Sequence, residues 1–299
     1  MIISASRRTD IPAFYAEWFM NRLRAGYLQT RNPFNPRQVR RVSLRPEDVR
    51  AIVFWTRNAD KLLPHLPELD QRGMAYYVQY TITGYPRALE RAVPKPKEAI
   101  TTFRRLAEHV SPDRVIWRYD PIVLSNLTDL AQHKHLFEMI ATLLEGSTRR
   151  VVISFVDLYK KTARNLDAVP GLDYSDITGN AAAQAELAGF MAQVAAARGL
   201  EIETCSERQD LSALGIVHGK CIDDRLLRRV FGLEVDRAKD KGQREECGCV
   251  KSVDIGAYNT CLHGCAYCYA TVNGGLAKRN AALHDPASPF LVGAGPPQP

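Results

Sequence analysis

The sequence predicts an α/β fold: a mostly parallel sheet wound as a partial or closed (β/α) barrel of the TIM type. Three observations carry this. Short apolar runs of strand length alternate with segments of helical periodicity along 299 residues, and helical crossovers between such runs align them in parallel. Polar side chains fall at or just after the C-terminal ends of the runs, where folds of this class gather their sites. They include Arg7, Thr9, Asp10, Thr56, Arg57, Thr81, Thr83, Arg118, Asp120, Ser154, Asp157, Cys205 and Glu207. An apolar content of 45% with 24% charged residues is enough for a full core in a chain of this length.

Ile2-Ile3-Ser4-Ala5-Ser6 opens the chain as a strand. Asp10 can cap a helix begun by Pro12, in which Phe14, Trp18, Phe19 and Leu23 recur at helical spacing up to Gly26. Residues 27–45 read as a long loop or a small hairpin. Ala51–Trp55 is an apolar run suited to a strand buried on both faces. A helix near 59–72 is made irregular by its prolines. Tyr76–Tyr80, Arg114–Trp117, Arg150–Phe155 and Leu200–Thr204 are further strands, separated by helices at about 97–110, 127–145 and 180–198. Ser252–Ala257 is a seventh candidate. The expected organisation is a barrel body over 1–205, a cysteine-containing helical or auxiliary region over 206–250, and a segment over 251–282 that completes the barrel. A tail over 283–299, rich in proline, has little capacity to form a core and is expected to be flexible.

Composition narrows the function classes. No apolar run reaches the ~18 residues that a membrane span needs, and the residues after Met1 hold no apolar secretory core. Seven cysteines, an odd number, argue for metal or cluster chemistry in a reducing compartment, hence a cytoplasmic location, rather than for a disulfide framework. A formal net charge of +7 suits a soluble arginine-rich protein, and suits equally one drawn to nucleic acid or another anion.

The stretch that carries chemistry is Tyr258-Asn259-Thr260-Cys261-Leu262-His263-Gly264-Cys265-Ala266-Tyr267-Cys268-Tyr269-Ala270. Its three cysteines are spaced C-x3-C-x2-C. Structural zinc takes four ligands, whereas three thiolates on a [4Fe-4S] cluster leave one iron open. The spacing, with an aromatic residue before the third cysteine, resembles the signature of radical S-adenosylmethionine (radical SAM) enzymes, and the longer string is similar to their spore-photolyase-like branch. A structural zinc site is the competing use of such thiols.

Other segments bear the same resemblance in order: Ser6-Arg7-Arg8-Thr9-Asp10, Thr56-Arg57-Asn58, Tyr80-Thr81-Ile82-Thr83 and Arg118-Tyr119-Asp120-Pro121-Ile122. In that superfamily the cluster motif follows the first barrel strand. Here it lies near the end of the chain, so the resemblance implies a circular permutation with the cluster-binding strand made last. Ile2–Ser6 is then expected to pair in parallel with the Ser252–Ala257 region. The full length also resembles the family known as domain of unknown function 1848, through the N-terminal segment, Phe54-Trp55-Thr56, Trp117-Arg118-Tyr119-Asp120-Pro121 and the cysteine-rich end.

The resemblance implies a site. Cys261, Cys265 and Cys268 would hold the cluster, and Tyr267 would lie beside the adenine of SAM. Arg57, a guanidinium able to grip a carboxylate bidentately, and the hydroxyls of Thr9, Thr81 and Thr83 are candidate partners of its amino acid group. Arg118 and Asp120 could serve SAM or substrate, or pair with each other; Asp10 could serve the site or cap its helix. Cys205, Cys221, Cys247 and Cys249 remain, the ligand number of a second [4Fe-4S] cluster or a zinc site, with buried apolar cysteine as the plainer use of Cys205 or Cys221. The expected activity is reductive cleavage of SAM to a 5′-deoxyadenosyl radical that acts on an unknown substrate, nucleic acid among the classes implied. An electron donor such as flavodoxin or ferredoxin would supply the reducing equivalent. The alternative is a non-catalytic barrel, braced by zinc or an iron–sulfur cluster, that binds nucleic acid.

Overall fold

A computed structural model describes residues 1–293. Strand β1 (Ile2–Ala5) leads through helices α1 (Ile11–Phe14) and α2 (Ala16–Ala25) to a hairpin of β2 (Tyr27–Asn32) and β3 (Asn35–Ser43). Next come β4 (Ala51–Thr56), α3 (Leu66–Gln71), β5 (Tyr76–Thr81), α4 (Pro96–Val110), β6 (Val115–Ile122) and the short β7 (Leu124–Ser125). Then follow α5 (Leu130–Leu143), β8 (Arg150–Phe155), α6 (Lys160–Asp167), β9 (Tyr174–Ser175), α7 (Ala181–Ala197) and β10 (Glu201–Thr204). Last are β11 (Val217–His218), α8 (Asp224–Phe231), β12 (Val253–Asp254) and α9 (Gly274–Ala282).

Eight of these strands form one sheet in the order β11-β10-β8-β6-β5-β4-β1-β12, and every neighbouring pair is parallel. Spatial order follows chain order except for β12, which lies beside β1 with Ile3 opposite Val253 and Ser4 opposite Asp254. That is the pairing expected for the two ends of the chain. A closed barrel is not formed: β11 and β12 stand at opposite ends of the order, and no ladder joins them among the described residues. Each end strand is two residues long, too short to offer a closing row of backbone groups.

One face of the sheet carries Ile3, Ile52, Phe54, Val78, Tyr80, Trp117 and Ile153, packed against apolar residues of α2, α4, α5 and α7. In α4 the buried residues Ala99, Ile100, Phe103, Leu106, Ala107 and Val110 recur at helical spacing. The other face carries Ile2, Val53, Tyr77, Ile116 and Val152, covered by Leu226 and Leu227 of α8 and by Cys221, Cys247, Cys249 and Val250. Strands covered on both faces read as continuous apolar runs, which is why β4 and β8 are plain in the sequence.

Several details depart from expectation. Helix 12–26 is broken at Tyr15, whose hydroxyl donates to the carbonyl of Thr260 at 2.7 Å. The stretch 27–45 is the β2–β3 hairpin. The packed region extends beyond 282. Trp18 Nε1 donates to the Ser288 carbonyl at 2.9 Å and Gln29 N to that of Pro289 at 2.8 Å, and Phe290 and Leu291 are buried. The flexible tail expected from 283 is therefore corrected up to Val292, since two large apolar side chains give that segment a core to join. Residues 294–299, the rest of that expectation, lie outside the described residues.

Three hydrogen bonds from the N-terminal segment to Asp254 lock the first strand to the last. The Asp254 carboxylate accepts from Ser4 Oγ (3.0 Å), Ser6 Oγ (2.7 Å), Arg7 N (2.9 Å) and Gly256 N (3.0 Å). Gly256 permits this approach, because a Cβ there would stand 2.1 Å from Ser6 Oγ.

Inside α5, His133 is fully buried; its Nε2 donates to the Val123 carbonyl at 3.0 Å and its Nδ1 accepts from the Tyr119 hydroxyl at 2.9 Å. Both ring nitrogens are satisfied in the neutral form, and burial lowers its pKa to about 4. Between pH 6.5 and 4 the unfolded chain takes up this proton and the folded chain does not, so stability falls as pH falls through that window. The loss is on the order of 3 kcal/mol at its full extent. His133→Gln is expected to lack this component, so urea unfolding of the variant and the parent should converge in stability on going from pH 7 to pH 4.

Candidate functional site

The thiol loop sits at the C-terminal end of the sheet, tied there by one carboxylate. Asp10, buried just after β1, accepts from Ala13 N (2.9 Å), Thr56 Oγ1 (2.7 Å), Arg57 N (2.7 Å) and His263 Nε2 (2.8 Å). The first bond caps α1. The next two fix the turn that follows β4, and the last anchors the loop between Cys261 and Cys265. Asp10 is thus both the helix cap and a member of the site. Two backbone bonds hold the other side of the loop: Ala92 N to the His263 carbonyl and Ala266 N to the Leu89 carbonyl, each 2.8 Å.

Arg57 and Tyr267 hold the loop from beneath. Arg57 Nη1 donates to Glu90 Oε1 at 2.7 Å, and Nη2 donates to the Tyr267 hydroxyl at 2.6 Å. The Tyr267 hydroxyl donates in turn to Glu90 Oε1, as does Thr83 Oγ1 at 2.5 Å. All four side chains are buried. Burial pushes the Tyr267 hydroxyl far above its ordinary pKa, so it remains a donor. In the structure Arg57 is paired with Glu90, and Tyr267 is buried with its hydroxyl in the same network. Thr83 belongs to the same network. Thr81 is partly exposed and lines a small cavity of about 50 Å³ with Thr83, Tyr85, Glu90 and Lys95. Thr9 is buried, and its hydroxyl has no hydrogen-bond partner.

Cys261, Cys265 and Cys268 are free and partly exposed. Burial pushes the Cys265 thiol up to about 12 and that of Cys261 well above its usual value. Among the described residues no group of three or more His, Cys, Asp or Glu side chains is placed to hold a metal ion as it stands. A bound metal draws thiols together as it displaces their protons. In donor chemistry the loop suits an iron–sulfur cluster: three thiols on one loop, with an unsatisfied buried hydroxyl, Thr9, on the neighbouring turn.

On the second face of the sheet lies another set of thiols. Cys205 Sγ and Cys221 Sγ are 3.2 Å apart. Arg118 Nη1 donates to Cys221 Sγ at 2.8 Å, and Cys249 Sγ accepts from Ile222 N at 3.3 Å. The bond to Cys221, helped by the Arg118 charge and opposed by burial, lowers Cys205 to about 7, while Cys221 rises. Of the two uses open to Arg118 the structure shows the ion pair: its Nε donates to Asp120 Oδ2 at 2.9 Å. The guanidinium groups of Arg7 and Arg118 lie over the Trp55 ring, 5.3 and 5.2 Å from its centroid.

The model of the family described as domain of unknown function (DUF1848) matches residues 2–270. The chain belongs to this family. No solved structure and no protein of curated function matches it. Among the described residues no helix is long and apolar enough to cross a membrane.

Sequence reasoning missed two residues of the site. His263 had a signal: a histidine between two cluster-spaced cysteines has few reasons to be there. Glu90 also had one, as the sole acid between Gly84 and Lys97, a stretch with two arginines and two lysines. Glu90→Ala is expected to strand the buried Arg57 charge and cost ~3–5 kcal/mol. Glu90→Gln, which keeps an acceptor, should cost less. Urea unfolding midpoints of the two variants check this order.

Proposed function

We propose that the chain is a radical SAM enzyme and that its sheet is a permuted, open form of that superfamily's barrel, with β12 as the cluster-binding strand. The observation that carries this reading is the place of the C-x3-C-x2-C loop: the parallel β12–β1 pairing sets it at the C-terminal end of the sheet. In α/β folds that is where cofactors bind. In this reading Cys261, Cys265 and Cys268 hold a [4Fe-4S] cluster. When bound, the cluster and SAM supply one-electron cleavage of the SAM C5′–S bond to methionine and a 5′-deoxyadenosyl radical. The electron comes from a low-potential donor of the flavodoxin or ferredoxin class, in a reducing compartment such as the cytoplasm.

The protein's own part is to hold the loop. Asp10 fixes the His263 side chain against the turns after β1 and β4. Arg57, Glu90 and Tyr267 form a rigid buried floor under Cys265. The Thr9 hydroxyl is free to meet a polar group of a bound cofactor.

One observation favours a second reading, a metal-braced protein that binds nucleic acid. The β2–β3 hairpin and its flank hold Arg31, Arg37, Arg40, Arg41 and Arg45 with no acid between Tyr27 and Pro46, and Phe34 at the tip is 94% exposed. Basic side chains beside an exposed aromatic ring suit phosphates and a stacked base.

Anaerobically reconstituted and reduced in the presence of SAM, the protein is expected to form 5′-deoxyadenosine, and Cys265→Ala to form none while unfolding at a similar urea concentration. An intact cluster with SAM bound and no 5′-deoxyadenosine would overturn the first reading. The second reading expects oligonucleotide affinity that falls with salt and drops at least tenfold in Arg37→Ala with Arg40→Ala.

A further inference from the structure

We infer that Cys205, Cys221, Cys247 and Cys249 form a four-thiolate site for a thiophilic metal centre, either a zinc ion or an iron–sulfur cluster, apart from the C-x3-C-x2-C loop. These are the four cysteines that the loop leaves over, and they come from three separate segments: the end of β10, the turn before α8, and the Cys247-Gly248-Cys249 turn. The fold brings them into one row. Cys205 touches Cys221 at 3.2 Å, Cys221 neighbours Cys249, and Cys249 neighbours Cys247.

Close backbone approach makes this row, and two glycines permit it. A Cβ on Gly219 would meet Glu203 Oε2 at 2.6 Å and the Thr204 carbonyl at 2.7 Å. That places the segment carrying Cys221 directly against β10, which leads straight into Cys205. A Cβ on Gly248 would meet Lys220 Cγ at 3.1 Å and the Gly219 carbonyl at 3.3 Å, so the Cys-Gly-Cys turn presses on the same segment. Gly219 N donates to the Thr204 carbonyl at 2.9 Å and Val250 N to that of Ile222 at 3.2 Å, fixing both approaches.

The surroundings suit sulfur that carries negative charge. An amide, Ile222 N, donates to Cys249 Sγ, and Arg118 Nη1 donates to Cys221 Sγ. The Arg7 guanidinium interacts with Cys249, and its Nη2 is buried with no hydrogen-bond partner. Amide and guanidinium donors around thiolates are the outer shell that metal–sulfur centres use. Four sulfurs around zinc at ~2.3 Å stand about 3.7 Å apart, so the Cys205–Cys221 pair has to open by only about 0.5 Å, and Cys247 has to swing inward from the end of the row.

The site is tested without the loop. In protein carrying Cys261→Ala, Cys265→Ala and Cys268→Ala, anaerobic reconstitution followed by desalting is expected to leave about four iron and four sulfide per chain, or about one zinc. Parallel samples loaded with iron and sulfide, or with zinc alone, distinguish the two. Adding Cys221→Ser and Cys249→Ser should lower retained metal at least tenfold. In the loaded parent the thermal unfolding midpoint should rise with metal, a shift the serine variant lacks; this reads the site even if the variant's basal stability changes. Equal metal in both proteins would overturn the inference. So would an absence of retained metal in the fully reduced loop-free protein, whether or not Cys205 and Cys221 had been isolated as a disulfide beforehand. Because the loop cysteines are absent throughout, failure here leaves the reading of the loop untouched.

Discussion

The Asp10 carboxylate joins three parts of the molecule that lie apart along the chain. It takes four hydrogen bonds from the start of α1, the end of β4 and the loop between Cys261 and Cys265. Such a group cannot be buried cheaply, because a carboxylate in a dry interior is tolerable only when donors surround it. The backbone therefore bends to supply them: the turns after β1 and β4 both aim an N–H or a hydroxyl at one point. His263 completes the set from more than 250 residues away in sequence. The thiol loop, far from both turns along the chain, becomes part of the same rigid end of the sheet.

A second carboxylate repeats the logic one layer down. Asp254 binds Ser4, Ser6 and the Arg7 amide, so β12 cannot dock in another register without leaving those donors unpaired. Together the two carboxylates make the N-terminal strand and the C-terminal thiol segment a single unit. The sheet separates the chemistry into two places. At its C-terminal end lies the loop with its floor of Arg57, Glu90 and Tyr267. On the face covered by α8 lies the row of four thiols, with Arg118 and Arg7 beside it.

Legibility tracks the physics of each element. The strands from Ala51 to Phe155 stood out because burial on both faces demands unbroken apolar runs. Helix α4 stood out because only one of its faces is buried. The stretch 206–250 reads only as a helical or auxiliary region, since it covers the second face through turns, cysteines and one eight-residue helix, α8, too short for its apolar face to repeat. Burial at Phe290 and Leu291 was hidden in a segment dominated by proline and glycine, whose partners are Trp18, Gln29 and Arg31 at the other end of the chain.

By itself the sequence determined the α/β class and the thiol motif, because each is written in local pattern; the pairing of the first strand with the last was expected only from the resemblance to radical SAM enzymes, and the structure shows it. Only the tertiary structure decided that the sheet stays open, that Arg57 and Tyr267 spend their polar groups on Glu90, and that four scattered cysteines lie in one row. Those outcomes depend on which donors and acceptors meet in a dry interior. A residue's partner there is chosen by the packing of segments far apart along the chain, not by its neighbours in sequence.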